Sequence, residues 1–187
     1  MPHEIFAPST LLDLSKSLSA PFFEKNKPVW DVLPRLEAEI FKLGQTLPSE
    51  YVEKEPGVWI HREAKVHESA VILPPAVIGP GAELRPGCYL RGAVLLGAGT
   101  VAGNSTEIKN AVLFDGAKAP HYNYIGDSIL GVNSHMGAGA VLSNLRFDGT
   151  NVVVTNGEKR FPTGLRKFGA ILGDEAQLGC NSVCNPG

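Results

Sequence analysis

The sequence has no long apolar run and no excess of basic residues. No segment approaches the roughly 20 consecutive apolar residues that a membrane-spanning helix needs. The opening MPHEIFAPS is polar and mixed, unlike a signal peptide. Seventeen Lys and Arg residues stand against 19 Asp and Glu residues. The sequence therefore predicts neither a membrane protein nor a nucleic-acid-binding surface.

Cysteine is also scarce, and nothing in its spacing indicates a metal centre. The three cysteines are Cys88, Cys180 and Cys184. None has a histidine at metal-type spacing, so we predict reduced thiols in a cytoplasmic protein. A zinc site needs three convergent ligands. His135 follows His121 by fourteen residues, which does not match the repeat described below, and no metal site is predicted.

What the sequence does contain is a strict period of six. A helix repeats near 3.6 residues and a strand at two, so neither explains this spacing. A sustained period of six is typical of a hexapeptide-repeat parallel β-helix. The apolar residues at every sixth position are Ile60, Val66, Ile72, Ile78, Leu84, Leu90, Leu96, Ala102, Ile108, Phe114 and Pro120. A second, mostly small set follows four places later, from Ala64 to Val112.

The period predicts an all-β solenoid over residues 51–187. Three hexapeptides make one triangular coil, so residues eighteen apart are expected to stack on each other. The register is expected to hold to Pro120 and then to slip, because Ile125 and Leu130 are only five residues apart. The slip falls in the polar and aromatic segment KAPHYNYIGDS, and bulges of this kind often accompany functional sites.

Two segments do not follow the repeat. Residues 1–50 have leucines at helical spacing, with Pro34 early in the second helix and Gly44 just past its end, and we predict a helical cap over the open end of the solenoid. An insertion at about 150–165 contains NVVVTNGEKRF. This segment predicts a β-hairpin with strands 152–155 and 158–161 and a type I′ turn at Asn156-Gly157.

Arg91 and Lys109 are the first candidate site residues. Both fall on the outward second position of a hexapeptide and lie eighteen residues apart, so they are expected to stack one coil apart. Two adjacent cations repel each other unless an anion bridges them, which favours a phosphate ligand. The alternative is a pair of solvated surface charges.

His121 and Tyr124 lie beside the predicted slip. A neutral imidazole is a suitable base for an ammonium at neutral pH, and Asp127 is close enough in sequence to orient it. The alternative is an incidental surface histidine. The nearby stretch from Met136 to Ala140 lacks the context of a nucleotide-binding loop, but its small residues let a backbone N–H approach a ligand closely.

The block NSTEIKNAVLFDGAKAPHYNYIGDSILGVNSHMGAGAV, followed by Asn144 and the segment Phe147-Asp148-Gly149, strongly resembles the acetyltransferase domain of bacterial GlmU. The resemblance covers roughly residues 60–185. It implies a left-handed β-helix, a homotrimer with sites between subunits, and acetyl-CoA as co-substrate. It also assigns roles to six positions: Arg91 and Lys109 hold phosphate, His121 is the base, Tyr124 contacts the sugar, the Ala138 N–H faces the thioester, and Asn144 lies near the acceptor and pantetheine.

The sequence departs from that family pattern in places. The family's acceptor-binding Asn falls on His135, and its NYDG is expanded to NLRFDG. The coils that complete the CoA site in the family are expected to be missing, and so is a nucleotidyltransferase domain.

The leading hypothesis is an acetyltransferase acting on an amino-sugar phosphate or a sugar nucleotide. One alternative is a non-catalytic, trimeric sugar-phosphate-binding module, or a homologue named as a sugar-1-phosphate nucleotidyltransferase but without that domain. A zinc enzyme like the γ-carbonic anhydrases is disfavoured by the histidine spacing.

Overall fold

The computed structural model describes residues 4–187 as a stack of coils with a helical N-terminal segment packed against it. Each coil contributes a short stretch of strand to each of three sides, and strands on one side pair in parallel with the coils above and below. The predicted all-β solenoid is confirmed. No helix within the described residues is long and apolar enough to cross a membrane.

Within residues 4–50, two α-helices and four 3₁₀ helices precede the solenoid. The α-helices are α1 (Pro8–Leu11) and α2 (Leu36–Gly44), and the 3₁₀ helices are Glu4–Phe6, Leu14–Lys16, Ala20–Phe22 and Val29–Arg35. The strands are β1 (Tyr51–Glu55), β2 (Val58–His61), β3 (Lys65–Val66), β4 (Val71–Leu73), β5 (Ala76–Ile78), β6 (Glu83–Leu84), β7 (Tyr89–Arg91), β8 (Val94–Leu96), β9 (Val101–Asn104), β10 (Glu107–Leu113), β11 (Lys118–His121), β12 (Tyr124–Leu130), β13 (His135–Met136), β14 (Val141–Leu142), β15 (Val153–Asn156), β16 (Lys159–Pro162), β17 (Ile171–Leu172), β18 (Gln177–Leu178) and β19 (Val183–Cys184).

We name the three sides by their strands. The first side holds β2, β5, β8, the second halves of β10 and β12, and β17. The second side holds β3, β6, β9, β11, β13 and β18. The third side holds β4, β7, the first halves of β10 and β12, β14 and β19. Strand β1 lies antiparallel to β2 and covers the edge of the first coil.

The register of the coils matches the sequence expectation in the first half and departs from it after Ile108. The predicted five-residue step from Ile125 to Leu130 is confirmed, but an equal step occurs earlier, from Ile108 to Leu113. Leu113 and Ala119 therefore point into the solenoid core, and the predicted inward positions Phe114 and Pro120 are wrong. Phe114 instead belongs to a second apolar cluster outside the coils.

The cause is a shorter corner between the third and first sides. In the earlier coil two residues with positive φ, Gly92 (85°) and Ala93 (52°), make this corner. In the next two coils a single residue with positive φ does so, Asn110 (47°) and then Asp127 (49°). Asn and Asp tolerate the left-handed region better than most side chains, so the corner closes with one residue fewer.

The N-terminal segment packs along the first side of the solenoid, across its coils. The expected position over the open end is wrong, although the expected helical segment is present. The reason is an outward column on the first side that is entirely apolar and in register from coil to coil: Trp59, Val77, Leu95, Val112, Ile129 and Ile171. Leu36 and Ile40 of α2 and Trp30 pack in the same cluster as this column.

The predicted hairpin is present, shifted by one residue. Strands β15 and β16 pair antiparallel with Asn156 opposite Lys159, so the connection is Gly157-Glu158. Only Gly157 has a positive φ, so the expected type I′ turn at Asn156-Gly157 is wrong. The hairpin packs against the N-terminal segment, with the rings of Phe161 and Phe6 4.9 Å apart. The division into residues 1–50 and 51–187 stays a prediction.

Candidate active site

The third side brings Arg91 and Lys109 together as the period of six predicts. Ile108 pairs with Leu90, which places Lys109 beside Arg91 on adjacent strands, about 4.8 Å apart along the stack. Arg91 is exposed and Lys109 half-buried. Lys109 has no ion-pair partner within residues 4–187. Two cations are therefore stacked on the third side, and no contact within the described residues neutralises the charge of Lys109.

Arg91 is paired with a carboxylate on the next strand. Its Nη1 donates a hydrogen bond to Oε1 of Glu107 at 2.6 Å. That bond raises the pKa of Arg91 further above its usual range, so the guanidinium is charged at every relevant pH. The carboxylate holds the guanidinium in place on the third side while neutralising it.

Gly126 continues the row of Arg91 and Lys109 into the next coil. It pairs with Lys109. A Cβ atom at Gly126 would lie 2.6 Å from Nδ2 of Asn144 and 2.7 Å from the hydroxyl of Tyr124, so a larger residue here would displace these two side chains. The missing side chain leaves a space that Tyr124 and Asn144 occupy. Four of the predicted site residues, Arg91, Lys109, Tyr124 and Asn144, thus form one continuous patch, which we call the anion row.

Tyr124 is a neutral hydrogen-bonding group in this patch. Burial raises its pKa above the usual value of 10, and the nearby Glu107 carboxylate raises it further. A side-chain hydrogen bond with Asn144 acts in the opposite direction. The Tyr124 hydroxyl is therefore protonated at neutral pH and can donate to a ligand.

Asp127 supports the anion row and does not orient His121. Its carboxylate is buried and accepts hydrogen bonds from Nδ2 of Asn110, at 2.8 Å, and from Nδ2 of Asn144. The expectation that Asp127 holds the His121 imidazole is wrong, because the shortened corner turns this carboxylate toward the two asparagines. Asn144 is fixed in place as a result.

His121 lies at the end of β11, one corner before Tyr124. Its side chain is exposed, and its imidazole has no hydrogen-bond partner among residues 4–187. Its backbone carbonyl accepts a hydrogen bond from the N–H of Gly139 at 3.0 Å. His121 and the segment around Ala138 are thus neighbours on adjacent coils.

The backbone of Ala138 has the donor that the resemblance implies. Within the described part of the chain its N–H has no acceptor, although the flanking Gly137 and Gly139 N–H groups are both bonded. An unpaired and half-exposed N–H beside His121 can donate to a carbonyl oxygen that gains negative charge. His135 lies on the second side, paired with Lys118 and Gln177, outside the anion row.

Asn123 is a site residue that the sequence reasoning missed. It is buried and donates from Nδ2 to the carbonyls of Gly137, at 2.8 Å, and Ala140, at 3.2 Å. Its Oδ1 accepts from the backbone N–H of His121 at 3.1 Å. Asn123 therefore joins the His121 corner to the Ala138 segment. Asn123 follows Thr106 by seventeen residues. If the register change had been located at Asn110, this spacing would have identified Asn123 as a polar residue in the small inward set.

The described residues contain no cluster of three or more His, Cys, Asp or Glu side chains that could hold a metal ion. The groups that the site presents are an imidazole, two cations and backbone and side-chain hydrogen-bond donors.

The comparison with protein families places the chain. A family model described as the GMPPB C-terminal domain matches residues 80–185. The chain belongs to this family. The match includes every residue of the anion row, His121 and Ala138, and it leaves out the helical N-terminal segment. The candidate site thus lies in the part of the chain that matches the family.

Curated relatives match the same domain. A bifunctional sugar-1-phosphate nucleotidylyltransferase/acetyltransferase of Sulfurisphaera tokodaii is 41% identical over 85 residues, which are 46% of this chain and 21% of that protein. The bifunctional protein GlmU of Methanococcus aeolicus is 44% identical over 85 residues, 46% of this chain and 20% of that protein. The predicted resemblance to GlmU is confirmed. The match covers only about a fifth of the length of these relatives.

A solved structure also resembles this domain. The acetyltransferase domain of PglB from Neisseria gonorrhoeae FA1090 aligns over 68% of this chain and 63% of that chain, with a TM-score of 0.42 and 22% sequence identity.

Proposed function

We propose that this chain transfers an acetyl group from acetyl-CoA to the amine of an amino-sugar phosphate. The observation that carries the proposal is the anion row and its position next to the His121 corner. A phosphate group fits between Arg91 and Lys109, and a general base follows on the same edge of the coils. The curated relatives, one of which is named as an acetyltransferase, support the reaction class.

The anion row binds the acceptor. The phosphate bridges Arg91 and Lys109 and removes the repulsion between them. The sugar ring then lies across Tyr124 and Asn144, whose hydroxyl and amide donate and accept hydrogen bonds with ring hydroxyls. This arrangement directs the amine toward His121.

His121 removes a proton from the ammonium, or from the amine as it attacks. The amine nitrogen forms a bond to the thioester carbon of acetyl-CoA, and the carbonyl oxygen gains negative charge. The Ala138 N–H donates to that oxygen. When the intermediate collapses, the carbon–sulfur bond breaks, and the CoA thiolate leaves and takes up a proton. The products are the amide and free CoA.

Three further features of the leading hypothesis remain part of the proposal. The handedness of the helix and a homotrimer with sites between subunits follow from the resemblance to GlmU. A cytoplasmic location is supported by the three free cysteines, Cys88, Cys180 and Cys184.

A second candidate function is a sugar-phosphate-binding module without catalysis. One observation favours it: the imidazole of His121 has no partner among residues 4–187, and the carboxylate expected to orient it is bound to Asn110 and Asn144. An unoriented imidazole is a weaker base catalyst, whereas the anion row needs no imidazole to bind phosphate.

The test is an acetyl-transfer assay with acetyl-CoA and glucosamine-1-phosphate. His121→Ala should lower kcat by about 10²- to 10⁴-fold, the usual contribution of a general base, with little change in glucosamine-1-phosphate affinity. The matched control is His67→Ala, since His67 bonds Ser69 in the first coil, three coils away from His121. Equal turnover of His121→Ala and wild type contradicts the assigned base, and binding without any turnover selects the binding module.

A further inference from the structure

A cleft lies next to the anion row, on the side away from His121. It has a volume of about 400 Å³. Its floor is the column of corners between the third and first sides, with Pro74-Pro75, Gly92-Ala93 and Asn110 in successive coils. Arg91 and Lys109 form one edge. The opposite wall comes from the N-terminal segment, through Leu33, Pro34 and Glu37.

The position of the cleft gives the bound phosphate two open directions. Along the third side, strand β12 runs from Tyr124 to Gly126, and His121 precedes it. The corner residues Asn110 and Asp127 follow at the other end. A phosphate held by Arg91 and Lys109 therefore faces Tyr124 and His121 on one side and the cleft on the other. A phosphate monoester has one organic substituent and leaves the cleft unused.

The walls of the cleft suit a nucleoside. Pro34 and Pro74 are exposed and supply apolar surface on which a ribose or a base can pack, whereas Leu33 and Pro75 are buried. Glu37 supplies an exposed carboxylate to the same cleft as the two cations, and no hydrogen bond or ion pair joins this carboxylate to the described side chains. A carboxylate placed beyond a phosphate site commonly accepts hydrogen bonds from ribose hydroxyls, as in dinucleotide-binding folds.

We propose that the acceptor is a nucleoside diphosphate sugar, with its pyrophosphate on Arg91 and Lys109 and its ribose hydroxyls on Glu37. This inference rests on the proposed function, because it extends the same anion row. It assigns a binding role to the N-terminal segment, which lies outside the family match. The amino sugar still extends over Tyr124 toward His121, so the chemical step is unchanged.

Calorimetry with matched ligands tests the inference on the whole chain. Glucosamine-1-phosphate is compared with UDP-, ADP- and GDP-linked glucosamine, and the tightest of the three is then compared with its 2′-deoxyribose analogue. We expect the best nucleotide sugar to bind at least about 10-fold tighter than glucosamine-1-phosphate. We also expect removal of the 2′-hydroxyl to weaken binding by about 10- to 150-fold, the range for a hydrogen bond to a charged group.

Glu37→Gln and Glu37→Ala separate the cleft from the anion row. Glu37→Ala should remove most of the preference for ribose over deoxyribose, while the affinity for glucosamine-1-phosphate stays the same or increases, because a nearby negative charge is lost. Glu55→Gln is the control, since Glu55 is an exposed carboxylate on β1 outside the cleft.

The outcomes distinguish this inference from the proposed function. If glucosamine-1-phosphate binds and none of the nucleotide sugars binds more tightly, the inference is wrong and the anion row stands. If Glu37→Ala weakens all ligands equally, Glu37 does not recognise ribose and the inference is also wrong. If folded wild-type protein binds none of the ligands, the anion row itself is wrong, and the proposed function fails with it.

Discussion

On the first side of the solenoid the outward column is apolar and lies under the N-terminal segment, whereas on the third side the outward residues range from the apolar Leu73 to the charged Arg91, and both of these are exposed. Leu95 on the first side is 0% exposed, and Leu73 on the third side is 41% exposed. The two leucines lie in successive coils of the same repeat. The comparison teaches that the coil determines only where each outward residue lies. The chemical character of the outward residues then decides whether a side packs against the N-terminal segment or carries a candidate site.

The largest expected effect is on the covered side. Leu95→Ala should lower the free energy of unfolding by about 2–5 kcal/mol, because it leaves a cavity between the coils and the N-terminal segment. Leu73→Ala makes the same chemical change on the open side and should cost less than about 1 kcal/mol. Urea unfolding followed by circular dichroism measures both. Equal losses would show that the N-terminal segment does not stay packed on the first side in solution.

Cys88 lies in the core enclosed by the three sides, and it predicts that the free energy of unfolding depends on pH. Burial raises the pKa of the Cys88 thiol to about 12, against an ordinary value near 9. The unfolded thiol ionises first, so the stability from a neutral Cys88 is fully present below about pH 9 and is lost as the pH rises toward 12. By about pH 10.5 the loss should reach about 2 kcal/mol.

Cys88→Ala isolates this contribution. The variant is less stable at pH 8, but its stability should fall less between pH 8 and about pH 10.5 than that of wild type. The same pH dependence in both proteins would mean that Cys88 is not the group responsible.

On the open side, Gly126→Ala should damage the anion row without unfolding the coil. The new Cβ displaces Asn144 and the Tyr124 hydroxyl, and we expect about 10-fold weaker binding of glucosamine-1-phosphate. Gly179→Ala is the control, because a Cβ there has only an ordinary contact, 3.7 Å from Oγ of Ser182. Unchanged affinity in Gly126→Ala would remove Tyr124 and Asn144 from the binding site.

The smallest expected effect concerns the ion pair of Arg91. Glu107→Gln frees Arg91 for phosphate and should tighten glucosamine-1-phosphate binding about two- to fivefold at low salt, with less effect at high salt. Glu83→Gln breaks a similar pair with Arg85 on the second side and should change nothing. Weaker binding in Glu107→Gln would show that the pair positions Arg91 and does not compete with phosphate.

Much of the fold and the anion row could be predicted from the sequence, because a strict period is a long-range constraint. Spacing alone stacks Arg91 on Lys109. The slip at Asn110 could not be located, because one asparagine that adopts a positive φ looks like any polar corner residue. That error carried over to Phe114, to Asn123 and to the expected role of Asp127.

The sequence contains a further signal for the position of the N-terminal segment, and the period of six does not use it. Strands of the first side are unbroken apolar triplets, such as VLL at Val94–Leu96, whereas those of the second side are pairs such as KV at Lys65–Val66. An unbroken apolar strand is buried on both faces. The period of six predicts the inward residue of each triplet but does not predict whether the outward residue beside it is buried.

The sequence separation between paired residues increases at one point of the solenoid, although the strand pairing continues there without a break. Tyr124 pairs with Val141, seventeen residues later, whereas Val141 pairs with Val183, forty-two residues later, and the ladder continues unchanged. The additional chain leaves and re-enters the solenoid at one corner. Because the entropy cost of a loop grows only slowly with its length, this excursion is a module that can be lengthened, shortened or exchanged while the coils and the anion row keep their register.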